Sequence, residues 1–215
     1  MASNETSHKT PEETHLYVVK NKRRLYSVQE LANPDQAHAS SFSWGFLIGP
    51  KYEDAVSNSG KRYYVERTHL GTAEEPDIFL WRYAVVHLPN VASAARMYAR
   101  ILIAKVEHEG RLEDLMSSTP RPDSTAAGAI ARALHDGYDS QVWASQVLGR
   151  LASVGSKDRV VGTAVLDWPR IELTARRYVA EKMATDRYNE RYLKETDCRL
   201  PKPTWDMLLD KEVVG

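Results

Sequence analysis

The chain has 215 residues, of which 42% are hydrophobic and 27% are charged, so it is long and apolar enough for one domain with a sizeable core. Lysine plus arginine number 29 and aspartate plus glutamate number 29, and the resulting zero formal charge gives no global attraction for nucleic acid or an anionic membrane. The single cysteine, Cys198, excludes an internal disulfide and a cysteine-rich zinc site.

The amino end is polar and carries no apolar run before Leu16. Residues 1–14 are rich in Ser, Thr, Glu and Lys, a composition that predicts a disordered arm ahead of a single domain over residues 15–215. We expect no signal peptide and, because no apolar stretch of about 18 residues exists, no membrane span. A cytoplasmic protein is the expectation.

Strand-like patterns fill the first half of the chain. Residues 15–19 predict a short strand, and residues 23–31 fit either a strand or a short helix. Aromatic and β-branched runs separated by turn residues predict an antiparallel meander that follows. Its three strands cover residues 41–50, 61–67 and 78–87.

Helical periods follow. Met97, Ile101 and Ala104 are spaced as one face of a helix that begins at Asn90 and ends at Gly110. Shorter helices are predicted over residues 111–116 and 125–134. The predicted fold is therefore α+β, with an antiparallel sheet of roughly three to five strands from the amino-terminal half packed against helices from the carboxy-terminal half.

The last long helix is predicted to begin after Asp167. Its apolar positions and those of the carboxy-terminal tail should face the core: Ile171, Ala175, Tyr178, Met183, Trp205, Leu208 and Leu209.

A capped helix near the middle of the chain is the stretch that organises the rest. Gly137 breaks the preceding element, Asp139 is a good N-cap, and Trp143 and Leu151 lie on one apolar face. Ser140 then sits in the first turn, where backbone N–H groups converge and favour negative charge. Two interpretations stay open, because this serine fits either a reacting group or an ordinary solvated residue after a cap.

Motifs for cofactors and metals are absent from the sequence. It contains no GxGxxG, P-loop, HExxH or GxSxG pattern. The seven histidines are scattered, and none pairs with another ligand-type residue at helical spacing. We therefore expect neither a cofactor nor a metal.

Aromatic residues on adjacent predicted strands and on the central helix suggest an apolar pocket. Tyr and Trp give such a pocket hydrogen-bond donors that orient a ligand. The candidates for substrate binding are Trp44, Trp81, Tyr83 and Trp143.

Five separated motifs in the same order resemble a family of small fungal proteins of unknown function that are encoded beside natural-product biosynthesis genes. The motifs are Ser43-Trp44 with Gly49-Pro50-Lys51, Arg62-Tyr63-Tyr64, Leu102-Ile103-Ala104-Lys105-Val106, Asp139-Ser140-Gln141-Val142-Trp143, and Asp167-Trp168 before Ala175-Arg176-Arg177-Tyr178-Val179.

The resemblance implies a circularly permuted papain-like (NlpC/P60-like) arrangement, in which a cysteine attacks and a histidine activates it. In this chain Ser140 stands at the cysteine position, Ser43 at the histidine position and Tyr64 at the third polar position. A serine without a base is a poor nucleophile, so proteolysis or acyl transfer by that route is disfavoured.

What the resemblance leaves is a scaffold whose cleft holds a small apolar metabolite, terpenoid or polyketide. The expected function is a cofactor-free cyclase or isomerase of secondary metabolism, such as a Diels–Alderase, with Ser140, Tyr64 and Ser43 as the catalytic candidates. The alternatives are a residual serine hydrolase or acyltransferase and a non-catalytic binding protein. A homodimer stays open.

Overall fold

The computed structural model describes residues 23–31, 42–51, 58–69, 79–91, 97–122, 137–155, 158–185 and 201–214. Eight strands and three helices lie in these ranges. The strands are β1 Arg23–Leu31, β2 Phe42–Pro50, β3 Gly60–His69, β4 Phe79–Leu88, β5 Met97–Val106, β6 Val161–Ala164, β7 Thr204–Asp206 and β8 Lys211–Val214. The helices are α1 Glu109–Ser117, α2 Ser140–Ser153 and α3 Trp168–Ala184.

The strands form one mixed sheet in the order β4-β3-β2-β1-β5-β7-β8, and β6 also pairs with β5. All the pairings are antiparallel except that between β5 and β7. The predicted meander is confirmed as β2-β3-β4, and residues 23–31 form a strand at the middle of the sheet. The predicted α+β class is also confirmed, with more strands than expected.

β5 corrects the sequence-based prediction of a helix from Asn90 to Gly110. Residues 97–106 form a strand whose first eight residues are all buried. A strand buried on both faces loses its alternation of apolar and polar residues, so its pattern resembles that of a buried helix. The separate helix predicted over residues 111–116 is confirmed as α1, which begins two residues earlier, at Glu109, and contains Gly110.

The helices cover one face of the sheet. In β2, Trp44, Phe46 and Ile48 point into the large core cluster beneath them, whereas Leu47 packs in a smaller cluster on the opposite face. Alternation along a strand produces this separation. This separation of the two faces determines which of the predicted site residues can contact each other.

Most of the predicted core positions of α3 and the tail are confirmed. Ile171, Ala175 and Tyr178 are buried, but Met183 is 36% exposed and Val179 takes the fourth core position. Positions 171, 175, 178 and 179 share one stripe at helical spacing, and residue 183 lies off it. In the tail, Leu209 is exposed and Met207 is buried in its place.

Several predictions fall on other parts of the chain. The amino-terminal arm, the strand over residues 15–19, the helix over residues 125–134 and Cys198 lie outside the described residues. No helix within the described ranges is both long and apolar enough to cross a membrane.

Candidate functional site

The amino end of α2 is built as its sequence predicts. Gly137 adopts a φ of 102°, a left-handed value that glycine tolerates best, and so turns the chain into the helix. The Asp139 side chain then accepts a hydrogen bond from the Val142 backbone N–H at 2.8 Å. This cap satisfies one of the first free N–H groups of the helix and fixes where it begins.

Ser140 links this helix end to the sheet. β2 and β3 pair only from Gly45 and Tyr64 to Ile48 and Lys61, after which β3 pairs with β4 alone. The Trp44 backbone N–H therefore donates to Ser140 Oγ, at 2.9 Å, instead of to a β3 carbonyl. Ser140 is buried, neither solvated nor hydrogen-bonded to a base among the described residues.

Ser43 and Tyr64 do not join Ser140 in the helix layer. Both lie on the alternate positions of their strands, on the face opposite to Trp44, and Tyr64 pairs across the sheet with Gly45. The Arg62 guanidinium stacks 4.6 Å from the centre of the Tyr64 ring. The three positions aligned with Cys, His and a polar partner thus do not converge as a triad.

Trp44 and Trp143 belong to the packed core, with exposures of 2% and 0%. The Trp44 ring meets Trp168 edge-on at 4.8 Å, and the Trp143 ring lies 5.5 Å from Phe46. Among the described residues the Trp143 indole N–H has no hydrogen-bond partner, so packing holds this side chain. A ligand-binding role consequently fits better on aromatic side chains that keep exposed surface.

Trp81 and Tyr83 have such surface. They are half-buried, on the face of β4 that the helices only partly cover. Trp81 meets Tyr138 edge-on at 5.2 Å, and the Arg121 guanidinium lies 5.6 Å above the Tyr83 ring. We call Trp81, Tyr83, Tyr138 and Arg121 the aromatic site; it adjoins the amino end of α2.

Tyr138 and Arg121 were missed by the sequence reasoning. Both precede α2 in sequence, and their contacts with β4 join residues about 40 and 57 positions apart, which local patterns do not predict. The one local signal is that Tyr138 stands directly before the cap residue, where a hydrophobic side chain commonly packs against neighbouring structure.

Both tyrosines of the aromatic site stay protonated at neutral pH. Burial raises the pKa of Tyr83 to about 12, and the nearby Glu113 charge adds to this effect while Arg121 opposes it. Burial likewise raises the pKa of Tyr138 to about 12, against the influence of Arg121. The Tyr138 hydroxyl donates to the Pro120 carbonyl at 3.3 Å. Tyr83 is therefore the tyrosine of this site whose neutral hydroxyl has no bond among the described residues.

A charged cluster joins α1 to the same face of the sheet. Glu113 Oε1 accepts hydrogen bonds from Lys61 Nζ and from the Tyr63 hydroxyl, both at 2.6 Å. Glu109, one turn earlier, lies 3.6 Å from Lys61 Nζ and 3.3 Å from Arg23 Nε. The sequence analysis did not predict this cluster, because Lys61 and Glu113 lie 52 residues apart and meet only where α1 packs against the sheet.

The cluster shifts the pKa values of its members. Partial burial disfavours the Glu113 carboxylate, but the hydrogen bonds from Lys61 and Tyr63 and the Lys61 charge outweigh it, so its pKa falls below its ordinary value. The hydrogen bond to Glu113 raises the pKa of Lys61, against the effect of burial. Burial and the bond to Glu113 raise the pKa of Tyr63 far above its usual range.

Replacing Glu113 with Gln should reduce the loss of stability that the protein suffers as the pH becomes acidic. Because the Glu113 pKa is lowered on folding, its contribution exists above the unfolded-state pKa and is lost as pH falls through the folded-state pKa. We expect the free energy of unfolding of the wild type to exceed that of Glu113→Gln by about 1 kcal/mol at pH 7, a small value because the carboxylate is partly exposed. At pH 3 the difference should almost vanish. Urea unfolding at the two pH values measures this, and an equal difference at both would contradict it.

A cavity of about 310 Å³ opens beside the cluster, at the end of β4 remote from Trp81. Its lining consists of Arg23, Ser59, Gly60, Lys61, His87, Leu88 and Pro89. In the described ranges no three His, Cys, Asp or Glu side chains are grouped so that they could hold a metal ion.

Comparison with known proteins identifies the family of the chain but not an activity, a substrate or a partner. The model of a family of unknown function, DUF6914, matches residues 22–214, so the chain belongs to that family. No curated protein matches the chain, and no solved structure does.

Proposed function

We propose that this member of DUF6914 binds an apolar metabolite at the aromatic site and promotes its cyclisation or isomerisation without a cofactor. The observation that carries the proposal is the half-buried state of Trp81 and Tyr83. They lie beside side chains that are completely packed, such as Trp143. Aromatic surface with donors at its edge is the usual lining of a small-molecule site.

The chemistry needs only shape and hydrogen bonds. Holding a flexible substrate in a reactive conformer lowers the barrier by several kcal/mol, on the order of 7 in favourable cases. A neutral donor such as the Tyr83 hydroxyl, aimed at a carbonyl that gains charge in the transition state, adds about 2–4 kcal/mol. An intramolecular Diels–Alder reaction is one step that these two effects can accelerate, because it transfers no proton or electron to the protein.

The five motifs shared with fungal natural-product proteins support secondary metabolism as the setting, and a terpenoid or polyketide intermediate as the substrate. In this proposal the protein acts in the cytoplasm. Ser140 then has a positioning role, because its hydroxyl oxygen holds the Trp44 N–H and with it the amino end of α2.

Ser140→Ala separates this role from nucleophilic catalysis. Loss of the acceptor leaves the buried Trp44 N–H unpaired, which should lower the free energy of unfolding by about 1–2 kcal/mol. The rate should fall at most about tenfold, equivalent to about 1.4 kcal/mol. The matched control is Ser145→Ala, since Ser145 Oγ only donates to the Val142 carbonyl within the same helix.

A complete loss of activity in Ser140→Ala, together with an acyl-enzyme on Ser140 in the parent detected by mass spectrometry, would replace the proposal with a serine hydrolase or acyltransferase.

The direct test uses tethered triene-enone substrates, whose uncatalysed cycloaddition rate and product ratio are measured in buffer. We expect the protein to raise the rate and to change the ratio of stereoisomers. Trp81→Ala should lower kcat/KM at least about tenfold through lost confinement, and Tyr83→Phe should lower kcat by about the same factor with little change in KM. The control is Arg82→Ala, an exposed residue on the other face of β4.

Rates and product ratios identical to those in buffer would exclude the cyclase for these substrates. Binding of the substrates with no acceleration would instead indicate the non-catalytic binding protein.

A further inference from the structure

We infer that the ligand of the aromatic site is an apolar chain that ends in a carboxylate, and that its head lies in the cavity beside Lys61, Arg23 and His87. This inference rests on the proposed function, because it extends the same site along β4. It adds a ligand class that the aromatic residues alone do not specify.

The charge of the cavity lining is the first support. Three basic side chains, Arg23, Lys61 and His87, line it, and among the described residues of the lining there is no acidic one. Glu109 and Glu113 contact the same cations from α1 but do not line the cavity. The cationic groups therefore face the cavity with the carboxylates behind them.

Unused donor capacity is the second support. The Lys61 ammonium has three N–H donors, of which Glu113 takes one and Glu109 at most another. Arg23 has five, and among the described residues its guanidinium makes one hydrogen bond to the Ser59 carbonyl at 3.0 Å and approaches Glu109 through Nε. A carboxylate has two oxygens with which to accept from both cations.

The third support is the surface between the cavity and the aromatic site. Trp81, Tyr83, Val85 and His87 are alternate residues of β4 and share one face. Val85 is 41% exposed, so an apolar side chain without full cover lies between the aromatic and the basic ends. The six residue steps from Trp81 to His87 span about 20 Å, which is the length of a long-chain acid.

Balance of charge favours a carboxylate over a phosphate. Arg23 and Lys61 already face two carboxylates, so the cluster can accept one further negative charge more readily than two. A singly charged head fits this balance, whereas a phosphate monoester would bring about two charges at neutral pH. The ion pairs themselves need no ligand to form, which is why the test compares ligands that differ only in the head group.

The experiment measures binding of 11-(dansylamino)undecanoic acid and of its methyl ester by dansyl fluorescence. The wild type should bind the acid about tenfold or more tighter than the ester, as one charge-assisted hydrogen bond predicts. Lys61→Met should remove most of the preference for the acid, with Arg23 keeping the remainder, and should leave the affinity for the ester unchanged. Arg82→Met, which removes the same charge from the opposite face of β4, should change neither.

Salt gives a second measurement on the wild type, independent of whether Lys61→Met folds. Higher ionic strength should weaken binding of the acid and leave that of the ester unchanged. Equal affinities of the acid and the ester for the wild type, or tighter binding of dodecyl phosphate than of dodecanoate, would overturn the inference while the proposed function stands. Failure of Trp81→Ala to weaken either dansyl ligand would count against the proposed site itself.

Discussion

Trp143→Ala is expected to lower the free energy of unfolding by about 3–5 kcal/mol, the usual cost of emptying a large buried site. Trp143 is completely buried between Phe46 and Tyr83, and it is among the largest buried side chains of the described residues. Its indole N–H has no partner in the described part of the chain, so we assign the cost to lost packing and not to a broken hydrogen bond. Urea unfolding followed by circular dichroism measures it.

The companion variant is Trp81→Ala. Trp81 is half-buried at the edge of the core, so we expect a loss of no more than about 2 kcal/mol, because part of its surface is already in water. The two variants should thus separate stability from ligand binding. A stable Trp143→Ala protein that has lost its ligand would instead restore the sequence-based assignment of Trp143 to the pocket wall.

Local sequence patterns were sufficient to predict those elements whose structure is determined by their own residues. Asp139 caps α2, Gly137 turns into it, and Trp143 and Leu151 recur at helical spacing, so the element could be placed from its own sequence. The β2-β3-β4 meander was predictable for a similar reason, since turn residues separate its apolar runs. These signals need no knowledge of the remaining chain.

β5 could not be placed in this way. Its place in the sheet depends on β1 at one edge and on β6 and β7 at the other, and β7 is about 100 residues away in the sequence. Periodicity inside the segment does not contain that information. The short β7 and β8 also depend on it, because β7 pairs with β5 and β8 pairs with β7.

The sequence indicated which residues are candidates for the site, but not on which face of the sheet each of them lies. Ser43, Tyr64 and Ser140 were grouped through a resemblance, and the alternation of the strands places the first two on the side away from α2. Conversely, the bond between Tyr63 and Glu113 joins residues 50 positions apart. Such pairings follow from sheet register and helix docking, which a single sequence does not fix.

Gly60 shows how a residue predicted for one reason can be required for another. The sequence predicts it as the last residue of a turn over residues 57–60, and glycine is common in turns. In the structure it is the first residue of β3 and is not among the described residues with a positive φ. What it provides is space, because a Cβ built there would lie 2.4 Å from Val91 Cγ1 and 2.6 Å from the Ile48 carbonyl oxygen.

Gly60→Ala should therefore lower the free energy of unfolding by about 2–3 kcal/mol, as overpacking does when the neighbours cannot move. Ile48 O belongs to the backbone of β2, and Val91 is fully buried with its N–H bonded to the Asn58 carbonyl at 2.8 Å. Adding Val91→Ala should recover only part of the loss, since the contact with the Ile48 carbonyl remains.

Gly149→Ala is the matched control for Gly60→Ala. Gly149 lies on the exposed side of α2, and a Cβ there meets nothing within 4 Å. The same substitution should stabilise the protein by about 0.8–1 kcal/mol, because alanine is the better helix former. Urea unfolding of the two variants should thus give changes of opposite sign, and a Gly60→Ala protein as stable as the wild type would show that β3 can move away from β2 at this point.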